Sequence, residues 1–134
     1  MNHHQNQHHL PPGVPASAHY AQIALHELYS ERPSQGLIHL AAGGMINAAL
    51  HSEVEEHSHH HRSSLALGYM MQGQLRRDMG IKDVPSLEQS AAQIAVLSPE
   101  LARAFLEFFG KPQSSEDQNA WIGHLLYHHT VPLH

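Results

Sequence analysis

The sequence predicts an all-α protein: a compact bundle of five to six short helices around a central apolar helix, behind a disordered N-terminal tail. Three observations carry this. Apolar residues recur three and four apart along most of the chain, the period of one helix face. The breaks between those stretches fall at Pro33, Gly80, Pro85, Pro99, Gly110 and Pro132, residue types that stop or restart helices. No segment alternates convincingly with the period of two that a half-buried strand needs. The 134 residues suit one domain, placed at 16–134, and suffice for a core without covalent staples.

Residues 1–15 are His, Gln and Asn followed by three Pro and a Gly, a composition that buries no core, and they read as the disordered His/Pro-rich tail. The first helix is expected from Ser17 to about Glu31. Ala18, Ala21, Leu25, Leu28 and Tyr29 line one side of it, and His19, Gln22, His26 and Ser30 the other. Pro33 ends it. The second helix starts near Ser34 and is apolar on most sides from Leu37 to Leu50, which makes it the central one. Gly43 and Gly44 in its interior cost about 1–2 kcal/mol together against alanine, so a close contact with another helix or a subunit is expected there, with a kink as the alternative. The third helix is expected after Arg62, capped by Ser63 or Ser64, with Leu67, Met71, Leu75 and Met79 as its stripe and Gly80 closing it. A break belongs within 58–63, because one helix from 34 to 79 would span about 69 Å.

Beyond the connector Ile81 to Pro85, Ser86-x-x-Gln89 reads as a capping box for a short helix through Leu97. Ser98-Pro99-Glu100 then restarts the chain with a cap, a proline at the first position and an acid in the first turn. That helix carries Phe105, Phe108 and Phe109 and stops at Gly110. Ser115-x-x-Gln118 is a second capping box, opening a last helix with Trp121, Ile122, Leu125 and Leu126.

The chemistry concentrates in Glu53 to His61, where three carboxylates and four imidazoles share nine residues. Zn²⁺ or Ni²⁺ takes three or four N/O ligands. The series His39, Gly43, Asn47, His51, Glu55, His59 runs in steps of four, and on one helix such positions stack. His51, Glu55, Glu56, His59, His60 and His61 are therefore the metal candidates, with His124 and His128, four apart on the last helix, as a second pair. Glu56-x-x-His59 also has the spacing of a di-iron bundle ligand pair, but it occurs once, with Glu27 and Glu88 as unassigned candidates for the further carboxylates. Zn or Ni is the cofactor that this cluster suggests.

Other classes find less. There is no Cys, hence no thiolate site or disulfide framework, and no GxGxxG, Walker A or GxSxG motif. Seven Lys and Arg against twelve Asp and Glu argue against a nucleic-acid footprint. Ala91 to Phe105 has the rhythm of a helix-turn-helix. Its second helix, however, offers mainly Phe, Leu and Glu, with Arg103 as the only basic residue before Lys111, where a groove reader needs polar and basic side chains. No apolar run approaches the ~20 residues of a membrane span and no leader pattern opens the chain, so a cytoplasmic protein is expected. Gly43, Gly44, Phe105, Phe108 and Phe109, with an adaptable Met45, Met70, Met71, Met79 set, point to a surface for another protein or for a second copy of the chain. The leading expectation is a non-catalytic helical protein–protein interaction module, regulatory or adaptor. The alternative is a His-rich Zn or Ni sensor, storage or delivery protein, and the third reading is a metal-dependent enzyme.

Overall fold

Four serines, Ser34, Ser86, Ser98 and Ser114, each accept a backbone N–H at a helix start, at 3.3, 3.1, 3.2 and 3.0 Å, and these caps set most of the boundaries. The computed structural model describes residues 15–52 and 58–130. Among them are six helices and no strand. They are α1 (Ala16–Leu28), α2 (Gln35–Leu50), α3 (Ser58–Asp78), α4 (Leu87–Leu97), α5 (Pro99–Phe109) and α6 (Ser115–Thr130). The expected tail up to residue 14 lies outside the described residues. Pro15, its last member, is buried and immediately precedes α1.

The all-α expectation holds, with corrections at three boundaries. α1 stops at Leu28, short of Glu31, because Glu27 organises the turn ahead of Pro33. Its carbonyl accepts the Ser30 hydroxyl at 2.7 Å, and its carboxylate accepts the Ser34 N–H at 2.8 Å. α3 begins at Ser58, earlier than the start expected after Arg62. Ser63 and Ser64 lie inside it, since Ser63 donates back to the His59 carbonyl and Ser64 has a distant side-chain partner. The last helix is capped by Ser114, not by Ser115, and the Gln118 amide reaches the Gln113 carbonyl rather than closing a box. The Ser86–Gln89 capping box forms in full. Ser98 ends α4 and caps α5, so the two helices share one hinge residue. At the end of α3, Gly80 takes φ 72°, and the N–H groups of Gly80 and Ile81 return to the Arg77 and Arg76 carbonyls, a left-handed closure suited to glycine.

α1 packs on α2 and α6, α2 on α3, α3 on α4, and α4 on α5, with lighter contacts of α3 to α1 and α6. Between them Leu28, Ile38, Met45, Met70, Met71, Ile94, Phe105 and Leu126 are buried, each such side chain stabilising by about 1.5–3 kcal/mol. α1 contributes Ala18, Ala21 and Ala24, all fully enclosed. These short side chains let its neighbours approach.

Two glycines set the spacing of the first three helices. A methyl at Gly44 would overlap the ring of Tyr20 on α1, and one at Gly68 would meet Ile46 and stand 3.1 Å from the Ala42 carbonyl oxygen on α2. The close contact expected at the glycine pair is thus made by α1 at Gly44. Gly43 faces only the Gln72 amide, at 3.2 Å from an added Cβ, the far end of a flexible side chain. Urea denaturation should separate the pair. Gly44→Ala is expected to lose about 1–3 kcal/mol through overpacking. Gly43→Ala should be neutral or gain up to about 1 kcal/mol of helix propensity. Equal effects at both positions would contradict the assignment of the contact to Gly44.

Candidate functional site

The described histidines differ in depth, and one group of half-buried and buried rings fastens α3 to α6. His60 and His129 stack with ring centroids 4.1 Å apart and 13° between planes, and His61 meets His60 edge-on at 6.4 Å. Ser64, with no exposed surface, hydrogen-bonds His129 Nε2 at 2.8 Å. Burial pushes the His129 imidazole down to about 3, and the neighbouring His60 adds to the effect. The ring is therefore neutral at pH 7, and the Ser64 contact is a hydrogen bond between uncharged groups. Its length would suit a nucleophile–base couple. A buried serine is closed to substrate, however, and an imidazole so depressed is a poor base.

The expected metal candidates are distributed as follows. His51 is the C-cap of α2, and its Nδ1 bonds the Asn47 carbonyl at 2.8 Å. The helix ends there, so the run in steps of four that continued through Glu55 to His59 does not ride on one helix. Glu55 and Glu56, with Glu53 and His57, lie outside the described residues. His59 is exposed, His61 is buried, and His60 turns to His129. His124 and His128 are both exposed on α6 with centroids 4.4 Å apart. Among the described residues no three His, Asp or Glu side chains converge as a metal would require. Of the spare carboxylates, Glu27 is engaged by Ser34 and Glu88 sits in the first turn of α4.

The expected partner residues also separate. Phe105 is fully buried. Phe109 lies half-buried against it at 5.1 Å, and Phe108 stacks flat on Trp121 of α6 at 4.5 Å and 2°. The aromatic run is thereby buried on two sides. Gly43 and Gly44 border an open groove of about 450 Å³ with His39, Leu40, Ile46, Asn47 and Gln72. Beside it α2 exposes Leu40 (70%), Leu50 (57%) and Leu37 (48%).

Ser64 and His129 are the pairing that sequence reasoning missed. One signal was present: His60 and Ser64 continue the Leu67–Met71 stripe backward at helical spacing, so they face inward with it.

Compared with protein-family models, with curated proteins and with solved structures, the chain matches none. None of the described helices is long and apolar enough to cross a membrane.

The depressed imidazole gives a signed pH dependence. A histidine whose folded value lies below its unfolded value of about 6.5 takes up protons preferentially in the unfolded chain. Its contribution is complete above about 6.5 and is lost as pH falls toward the folded value of about 3. For His129 the loss between roughly pH 7.5 and 5.0 is about 2 kcal/mol. Denaturation curves at the two pH values should show it, and His129→Gln should flatten the slope by that amount. An unchanged slope in the variant would place the titration elsewhere.

Proposed function

We propose that the protein is a small, non-catalytic helical interaction module, regulatory or adaptor in role, whose partner surface is the outward face of α2. One observation carries the reading: α2 buries Ile38, Ala41, Ala42, Met45 and Ala49, yet leaves Leu40 exposed at the groove and Leu37 and Leu50 exposed elsewhere along the helix. Leu37, Leu40 and Leu50 span about 20 Å of helix at 1.5 Å per residue, beside the Gly43 groove. Single exposed leucines are ordinary. Three on one helix, one of them lining a shallow groove, supply the apolar surface that a protein contact uses. The partner is another protein or a second copy of this chain. Phe105, Phe108 and Phe109 play the supporting part here, since their rings face the core and Trp121.

The alternative, a Zn- or Ni-binding protein, has the exposed His124–His128 pair in its favour. Two imidazoles are half of a tetrahedral zinc ligand set. That reading takes precedence if either ion binds stoichiometrically and His124→Ala abolishes it.

The interaction reading is tested with a photo-reactive amino acid placed at Leu40 and, as a control, at Val96, which is 83% exposed on α4. Irradiation in the native host should yield a discrete protein adduct from position 40 and none from position 96. Absence of an adduct at position 40, or equal adducts at both, would contradict it.

A further inference from the structure

We propose that the pocket beside Arg77 binds a small organic anion, a carboxylate carried on an apolar body.

Arg77 lies in the last turn of α3. The guanidinium is half-buried and is held by neutral acceptors: Nη1 donates to Gln74 Oε1 at 2.7 Å and Nη2 to Ser90 Oγ at 2.8 Å. Its Cζ lies 5.9 Å from the centre of the buried Phe105 ring. Nε is buried and has no hydrogen-bond partner. Among the described residues no carboxylate forms an ion pair with Arg77. Asp78 acts on it at longer range and directs Oδ1 to the Gln74 amide at 3.0 Å. Burial pulls the guanidinium down from its ordinary value, and Asp78 only partly opposes this. A half-buried cation whose hydrogen bonds go to neutral acceptors, with one buried N–H left without a partner, is an unusual arrangement in a folded chain.

A pocket of about 350 Å³ adjoins it, a size suited to small ligands. Lys111 is the second cation of its lining, and among the described residues no acid lines it. Leu87, Phe109 and Pro112 form an apolar wall. Two like charges sharing one pocket repel, and an anion between them relieves both. The apolar wall selects an organic body over a bare inorganic ion. The planar guanidinium favours a carboxylate, whose two oxygens match a fork of parallel N–H donors. The pocket shares no lining residue with the α2 groove, so it stands independently of the partner surface.

The molecule carries its own reporter. Trp121 is the sole tryptophan of the chain, and Phe109 of the pocket wall meets it edge-on at 5.4 Å. The full chain is titrated with 3-phenylpropanoate, its uncharged amide and inorganic phosphate, followed by calorimetry and Trp121 emission. The expected result is saturable one-site binding of the carboxylate, with no binding of the amide and at least tenfold weaker binding of phosphate. Arg77→Gln and Lys111→Gln should each weaken the carboxylate at least tenfold. Arg77 also holds Gln74 and Ser90, so Arg77→Gln is read only if it keeps the helical signal of the parent. Lys111 is exposed, and its variant decides otherwise. Absence of saturable carboxylate binding, equal binding of the amide, phosphate binding as tight as the carboxylate, or full affinity in Lys111→Gln would each overturn the proposal.

Discussion

The bundle depends on how closely its first three helices approach one another. At Gly44 the backbone of α2 takes the flat side of Tyr20, and at Gly68 the backbone of α3 takes Ile46. A side chain at either position would push the helices apart, and the spacing sets what lies below. Met45, Met70 and Met71 are wholly buried beneath these contacts, where an unbranched thioether fills irregular space. Two glycines inside helices cost intrinsic stability, and the close packing they permit is the compensating gain. The same contacts orient α2. With α1 on one side and α3 on the other, the face bearing Leu40 has nowhere to turn but outward.

A second fastening closes the opposite side. α6 lies on α1 and touches α3 more lightly, and the polar set His60, Ser64 and His129 supplies part of that junction. A neutral imidazole hydrogen-bonded to a buried hydroxyl avoids the penalty of a buried charge while holding a defined geometry. Imidazoles whose sequence pattern resembles metal chemistry therefore serve in part as interior packing. The chain has 16 histidines, and their roles differ with depth: His129 is kept neutral by burial, whereas His124 and His128 stand in solvent.

Much of the architecture was legible, because it is written in local chemistry. The caps at Ser86 and Ser98, the proline at 99 and the glycine at 80 mark boundaries through interactions within a few residues. Errors arose where a distant partner competes. Ser64 looks like a cap until His129, 65 positions away, supplies a better bond. Gln118 looks like half of a capping box until Gln113 and Gln74 engage it. The run in steps of four from His39 to His59 assumed one helix, and the His51 ring ends that helix by folding back on Asn47. Arg77 gave no signal beyond favourable placement near a helix C-terminus. Its charge balance depends on the side chains that two other helices, α4 and α5, bring to it.

The coupling between Tyr20 and Gly44 tests the central claim most directly. In a double-mutant cycle, Gly44→Ala is made in the parent and in Tyr20→Ala, and unfolding free energies are compared. If the ring against the glycine seats α2, the alanine destabilises the parent but is neutral or stabilising once the ring is gone, a coupling of at least about 1 kcal/mol. If the two costs simply add, the seat of α2 lies elsewhere, and the outward leucine face loses its structural cause.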